Sequence, residues 1–293
     1  MASLTNLTIN DTGFIGLPTG TTDQRPASPV TGYVRFNTTL GIVEYYNGTY
    51  WIDQTTGKVA EGSIVTSGLQ LHLDAGKSLS YRGGKMWYDI SGKGHHGILY
   101  NSPTYSTTDG NGSIAFNGST QYMTSNIKNT TLDGDPNFTV DFFVKRTASF
   151  SAGAFWGIGG TAQGNSISGW TPTTNRIHID VYDSTRLDSA TDYPLNTYVH
   201  VAWVKSGTSI STSTVKCYVN SVETALTLTR AQTTGPQYNT STSGVGVTLG
   251  RIVSNADGYY APITMGVFRI YNTALSASDV LQNYNAQKYR FGL

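Results

Sequence analysis

The sequence predicts an all-β protein, an antiparallel jelly-roll sandwich preceded by a small N-terminal β-meander module. Three observations lead there. Thr and Ser supply 70 of 293 residues while Glu supplies only Glu44, Glu61 and Glu223, so β-branched residues abound and helix formers are scarce. Short runs of alternating apolar and polar residues recur along the chain, separated by Gly, Asn, Asp and Pro clusters. Hydrophobic residues make up 38% and aromatic residues 12%, ample material for a core and too much for a disordered chain. A chain of this length holds one large domain and a small one.

The small module is read over residues 1–57. Pro18, Pro26 and Pro29 fall close together, and Arg25-Pro26-Ala27-Ser28-Pro29 reads as extended and turn-forming, because Pro pushes its preceding residue out of the helical region. Two strands follow, over Gly32–Asn37 and Ile42–Tyr46, joined by a loop at Thr38–Gly41. Asn47-Gly48 is a type I′ turn signal leading into a third strand at Thr49–Ile52. A meander this small is marginal alone, which predicts that it leans on sister copies or on a partner surface.

Residues 58–68 read as a linker, and the large domain runs over 69–293. Its predicted strands are Leu69–Leu73, His96–Tyr100, Ser113–Phe116, Gln121–Thr124, Phe138–Lys145, Ala154–Ile158 and Arg176–Tyr182. Further on come Tyr198–Lys205, Thr214–Asn220, Val245–Leu249 and Ile263–Tyr271. Such spacing marks a sandwich or jelly roll. One segment departs from it. Ser276–Ala286 carries Val280, Leu281 and Tyr284 behind Ser276, a good N-cap, and predicts a single short helix. Cys217, in the alternating run Val215–Val219, predicts a buried small hydrophobe; as the one cysteine it has no intramolecular disulfide partner.

Charge removes whole classes of partner. The 19 Lys+Arg balance 18 Asp+Glu to +1 with no basic run, so no nucleic acid or anionic membrane surface is expected. No stretch approaches 18 consecutive apolar residues, so no membrane insertion is expected either. Met1–Asn6 lacks the basic start and apolar run of a signal peptide, which predicts synthesis in a cytoplasm without signal-dependent export.

Five ordered segments then carry a family likeness across residues 66–293. They are Leu69–Gly76, Trp87–Gly97, Phe116–Tyr122, Phe138–Lys145 and Phe268–Ser276. In that order they resemble the concanavalin A-like / laminin G-like jelly roll. The resemblance implies that fold, in a family of lectins, glycan-binding modules, adhesion modules and glucanases. The family's usual Asn-Gly turn is Asn220-Ser221 here, a departure that predicts a looser hairpin. A second likeness covers residues 13–54, through Leu17–Pro26, Gly32–Thr39 and Glu44–Trp51. These segments resemble a short module of tailed-bacteriophage virion proteins, where it accompanies fibre and capsid-decorating subunits. That resemblance implies docking on other virion proteins of the capsid or tail, and a homotrimer as in phage fibres.

The carboxylates decide the question of catalysis. Retaining glucanases of this fold place two of them two to four residues apart on one strand, where alternation brings both to one face. No two Glu lie within four residues, and Asp180 and Asp183, three apart, would face opposite ways. The chain therefore reads as non-enzymatic. No zinc site is suggested, because His95 and His96 are adjacent and His72, His178 and His200 each stand alone. The resemblance leaves calcium open, with Asp74, Asp89, Asp133, Asp135 and Asp257 as candidates and no assignable ligand set; turn chemistry is the preferred account of Asp133-Gly134-Asp135. Gly157-Ile158-Gly159-Gly160 lacks the helix and Lys of a phosphate loop.

Glycan binding asks for an exposed aromatic ring among hydroxyl and amide groups. Trp170, in a segment read as a long loop, is one candidate, and Tyr259 and Tyr260, which follow Asp257-Gly258, are two more. Trp87, Trp156 and Trp203 read as core. For docking or trimer packing the candidates are Arg25, Pro26, Tyr33, Arg35, Tyr46 and Trp51. The function expected is thus a non-enzymatic structural protein of a phage virion, capsid-decorating or fibre type. It would dock through its first module and display a jelly roll that decorates the particle or binds host-surface glycans. The alternative is a free-standing carbohydrate-binding, lectin-like adhesion module unrelated to a virion.

Overall fold

The structure, a computed structural model, describes residues 13–57, 60–125, 127, 132–149, 153–160, 166–171, 176–181, 184–231, 246–252 and 259–293. The chain divides into two compact units with the boundary between Gly62 and Ser63.

The first unit is a four-stranded sheet of β1 (Thr19–Gly20), β2 (Val34–Asn37), β3 (Ile42–Tyr46) and β4 (Trp51–Asp53), in that spatial order. Strands β2 to β4 form the antiparallel meander, whereas β1 joins β2 in parallel through Thr19↔Phe36. Two residues are too few to alternate, which is why β1 has no sequence signal. Asn47 Oδ1 accepts the amides of Thr49 and Tyr50 at 2.9 and 2.7 Å, and Gly48 takes the left-handed φ of +100°. The buried apolar side chains among the described residues are Trp51, Ile52 and Ala60. The rest of the interior is polar: Glu44, at zero exposure, is surrounded by Arg25, Arg35 and Asn37.

Residues of the span read as a linker are held within the two units. Ala60 donates its amide to Trp51 O at 2.8 Å and accepts Arg25 Nη2 at 3.0 Å. Beyond the boundary, the Val65 amide donates to Asn283 Oδ1 at 2.9 Å, and its carbonyl accepts the Tyr271 hydroxyl at 3.1 Å.

The second unit holds β5 (Leu69–Asp74), β6 (Met86–Trp87), β7 (Gly97–Tyr100), β8 (Thr104–Ser106), β9 (Ser113–Asn117), β10 (Tyr122–Ser125), β11 (Phe138–Arg146), β12 (Gly153–Gly159) and β13 (Ser166–Thr171). It continues with β14 (Arg176–Val181), β15 (Arg186–Asp192), β16 (Tyr198–Lys205), β17 (Val215–Val219), β18 (Val222–Thr224), β19 (Leu226–Arg230), β20 (Gly246–Leu249) and β21 (Pro262–Tyr271). One sheet has nine strands in the order β19-β15-β14-β13-β12-β20-β10-β7-β6. The other runs β18-β17-β16-β11-β21-β9-β8, with β5 paired to the second half of β21. This is the nearly all-β sandwich that the sequence predicts.

Alternation explains the core. Leu99, Met123, Leu249, Trp156, Ile179 and Leu187 occupy one register row across the nine-stranded sheet and face Val140, Phe142, Val201, Trp203, Phe268 and Ile270 in one hydrophobic cluster. Trp156 lies over Gly169, where a Cβ would collide with its indole nitrogen. Cys217 is fully buried, and burial pushes its thiol well above the ordinary value.

The helix α1 (Ala277–Gln287) packs on the outer side of the eight-stranded sheet. Leu275 and Val280 meet Ala202, Val204, Tyr218 and Tyr271 there. Its cap is Ser276, whose hydroxyl accepts the Asp279 amide at 3.2 Å while Asp279 accepts the Ser276 amide at 2.9 Å. Phe291 then stacks on Phe143 with ring centroids 4.4 Å apart. No helix among the described residues is long and apolar enough to cross a membrane.

One expectation needs correction. Trp170 is not in a loop but in β13, paired with β12 and β14; Ser and Gly in its Ser166–Thr171 sequence conceal the strand. The Asn220-Ser221 turn closes a two-residue hairpin. Val219 pairs with Val222, and both turn residues take left-handed φ values of 49° and 66°. Strands β15 and β19 also escaped the sequence reading: β15 is mostly Arg, Asp, Ser and Thr, and the Leu226-Thr227-Leu228 alternation of β19 is only three residues long.

Candidate functional site

With α1 on the eight-stranded sheet, the outer face of the nine-stranded sheet is the candidate binding surface. Its central row, in register from β10 to β13, is Thr124, Thr248, Gly157 and Ser168. All four are small, and Thr248, Gly157 and Ser168 are buried, so of this row Thr124 is the member in part exposed. Ile98 continues the row on β7, and Asp180 and Arg186 continue it on β14 and β15.

One end of the face is built around Trp170, which stands opposite His178 across the β13–β14 ladder. The Arg186 guanidinium lies over its ring at 4.5 Å, and Tyr259 meets it edge-on at 5.9 Å. His178 Nδ1 is hydrogen-bonded to Asp188 Oδ1, which also accepts the Thr229 hydroxyl at 2.7 Å. That contact selects the tautomer with the proton on Nδ1 and leaves Nε2 as an acceptor. Burial lowers the imidazole's basicity, offset in part by Asp188. Both His178 Nε2 and Trp170 Nε1 are buried without a hydrogen-bond partner. Asp180 is taken by arginines: Arg186 donates to Oδ2 at 3.0 and 2.8 Å, and Arg230 to Oδ1 at 2.6 Å. Asp183 lies outside the described residues.

The other end is a stack of tyrosines. Tyr100 and Tyr122 face each other across β7 and β10, nearly parallel at 6° and 4.6 Å apart. Arg251 follows β20 on the other side of β10 and places its guanidinium carbon 3.7 Å from the Tyr122 centroid. Tyr260 lies 6.2 Å from Tyr122 and forms a bridge with Arg251. The Ala154 amide holds the segment by donating to Tyr259 O at 3.0 Å.

Tyr259 and Tyr260 therefore connect the Trp170 end to the tyrosine end, and the three sequence-predicted residues fall on one surface. Sequence reasoning passed over Tyr100, Tyr122 and Arg251. The signal for Tyr100 was present: in Gly97-Ile98-Leu99-Tyr100 burial alternates, with Ile98 and Tyr100 outward.

In the first unit, Pro26, Tyr33, Arg35 and Trp51 of the predicted docking set line a groove of about 340 Å³ together with Pro18 and Val34. Tyr33 is 46% exposed, and Tyr46 packs on Trp51 at 5.6 Å. Arg25 belongs to the interior rather than to a docking surface. Its guanidinium meets Glu44 at 3.1 and 2.5 Å, and Arg35 Nε approaches the same carboxylate at 3.7 Å.

Of the acidic calcium candidates, Asp74, Asp89 and Asp135 are occupied by protein donors. Asp74 holds Arg290 and Gln287, while Asp89 accepts the amides of His72, Ser91 and His95. Beside Asp133-Gly134-Asp135, the Lys205 ammonium meets Asp135 Oδ1 at 2.7 Å, Pro136 O at 3.0 Å and Gly207 O at 2.6 Å. Carbonyls and a carboxylate are the donors a calcium ion would use, and here they hold an ammonium. Asp257 lies outside the described residues. Among the described residues no three His, Cys, Asp or Glu side chains gather into a metal site.

Residues 117–281 match the family described as the concanavalin A-like lectin/glucanases superfamily. No curated protein matches the chain. Among solved structures, Trypanosoma rangeli sialidase in complex with 2,3-difluorosialic acid is similar with a TM-score of 0.57 and 13% identity, over 78% of this chain and 34% of the sialidase. The chain thus spans about a third of the sialidase's length. Domain 4 of AbnA, an extracellular arabinanase of Geobacillus stearothermophilus in complex with arabinotriose, is similar at 0.52 and 18% identity, over 75% of this chain and 99% of that domain. The botulinum neurotoxin type G receptor binding domain follows at 0.51 and 17%, over 75% and 52%. At such identities the likeness is one of fold.

Proposed function

The chain belongs to the concanavalin A-like lectin/glucanases superfamily, and on that premise we propose that it is a non-enzymatic glycan-binding display protein of a tailed-phage particle. The observation that carries the glycan reading is the Tyr100–Tyr122 stack, with Tyr100 37% exposed on the sheet face away from α1. Flat aromatic surface of this kind suits a sugar ring, which has an apolar face and a polar rim. A domain of this fold solved with arabinotriose supports the reading. The engagement of Asp180 by two arginines supports binding without hydrolysis.

The virion part rests on the likeness of residues 13–54 to tailed-phage modules. In this reading the first unit docks on capsid or tail proteins through the groove at Pro18, Pro26 and Tyr33, and the assembled protein is a homotrimer. Immunogold labelling of intact particles tests it. Label over the capsid supports decoration, and label at the tail tip supports a fibre. Absence from particles would return the chain to a free-standing carbohydrate-binding module. Glycan binding is tested separately by titrating the full chain with host-surface polysaccharide. Tyr100→Ala should weaken binding by up to about tenfold, the worth of one aromatic contact.

A further inference from the structure

We propose that the tyrosine end of the face recognises an acidic glycan and that Arg251 receives the sugar's oxyanion, a carboxylate or a sulfate. The inference rests on the glycan reading and deepens it. Among the other arginines of the second unit, Arg186 and Arg230 share Asp180, Arg269 meets Asp141, Arg290 meets Asp74 and Arg176 meets Asp192, while Arg82 and Arg146 donate to the carbonyls of Ser78 and Tyr193. Arg251 differs. No carboxylate among the described residues pairs with its guanidinium, and its Nε is buried without a hydrogen-bond partner. Its contact is the Tyr122 ring at 3.7 Å.

A partly buried cation without a counter-ion is destabilising, and a ring stack offsets only part of that. Stacking does fix the guanidinium plane, leaving its N–H edge as a fork of the shape that carboxylates and sulfates accept. The rest of such a sugar has a surface beside it. Tyr122 lies between Arg251 and Tyr100 in strand order, so fork and exposed ring are about 10 Å apart, two strand spacings. That is a span one or two sugar rings can bridge.

The test uses the full chain and defined polymers: polygalacturonate, hyaluronan and polysialic acid, the carboxyl-reduced form of each, dextran, and dextran sulfate. At least one acidic polymer should bind, and removing its charge should weaken binding. Arg251→Ala should lower affinity by about 10- to 100-fold, the loss of charge-assisted hydrogen bonds. Arg251→Gln, which keeps the length and polarity, should behave similarly; Arg251→Lys should retain part of the affinity. Unchanged circular dichroism and melting establish that the variants fold. Preference for carboxylated polymers identifies a uronic or sialic sugar, and preference for dextran sulfate a sulfated one. Neutral polymers bound as tightly as acidic ones, or variants that bind like the parent, would overturn the inference and leave the glycan reading standing. No binding to any polymer would overturn both.

Discussion

Arg290 Nη1 lies 2.7 Å from Asp74 Oδ1 with both side chains shielded from solvent, and this pair fastens the C-terminal turn to β5. Arg290 also donates to Gly110 O at 2.6 Å and Gly112 O at 3.1 Å. Gln287 bridges onward, donating to Asp74 Oδ2 at 2.9 Å and accepting from Arg269 Nη2. Arg269 in turn meets Asp141, which accepts His200 Nε2 at 2.9 Å and Asn283 Nδ2 at 3.3 Å. A helix with few buried apolar residues is thereby seated by a connected polar network, whose worth lies in position more than in net stability.

Asp74→Asn should cost about 3–5 kcal/mol, because it strands a buried guanidinium. Burial by itself would raise the Asp74 carboxyl, but Arg290, aided by His72 and Lys77, holds it down to about 2 against an ordinary 3.8. The native state keeps a charge that the unfolded chain gives up below about pH 4. Its stabilisation is therefore full above that pH and is lost as pH falls towards 2. Urea unfolding between pH 5 and 2 should show this limb in the parent and a flatter one in the variant.

His72 adds a limb at higher pH. Burial, reinforced by Arg269, pushes its imidazole down to about 4 from 6.5. The native state stays neutral where the unfolded chain takes up a proton, so stability is greatest above pH 6.5 and declines as pH falls from there to 4. One proton contributes a slope of up to about 1.4 kcal/mol per pH unit. His72→Gln should remove that slope, read from urea midpoints between pH 7 and 4.

What could be read from the sequence follows the range of the forces. Phe138–Lys145 and Tyr198–Lys205 are legible because period-2 alternation records a local fact, which face each side chain takes. Helix α1 is legible through Ser276, since a cap acts over three residues. The strand around Trp170 is not, because Gly169 is there for Trp156 on the neighbouring strand. The Arg251–Tyr122–Tyr100 stack joins residues from three strands, and only the order β20-β10-β7 brings them together. Likewise the scarcity of Glu was plain, but not that Glu44 would draw Arg25 and Arg35 inward.

Glu44→Gln should unfold the first unit selectively. It leaves two guanidiniums around a neutral amide in an interior with little apolar burial, at a cost of about 3–5 kcal/mol. Hydrogen exchange should show lost protection at Trp51 and Ile52, while β11 and β16 exchange as in the parent.

Calcium chelation should leave the melting temperature of the parent unchanged, because Lys205 fills the oxygen cage at Asp135, Pro136 and Gly207. Lys205→Met should destabilise by about 1–3 kcal/mol, since those acceptors lose their donor in a buried setting. Differential scanning calorimetry with and without chelator reads both; a drop in the parent's melting temperature on chelation would show a bound ion elsewhere.

Ser221→Gly should stabilise the protein. Asn220 and Ser221 form the two-residue turn between β17 and β18 with φ of 49° and 66°, and a residue with a Cβ is strained there by about 1–2 kcal/mol. Glycine removes that strain but gains freedom in the unfolded chain, so a net of about 0.5–1 kcal/mol is expected. The same change at Asn220 should not help. Its side-chain oxygen accepts the His200 amide at 2.9 Å while its own amide donates to His200 O at 2.9 Å, and glycine would forfeit the first of these bonds. Urea midpoints of the two single variants should therefore move in opposite directions, a contrast that a general preference for glycine in turns would not produce.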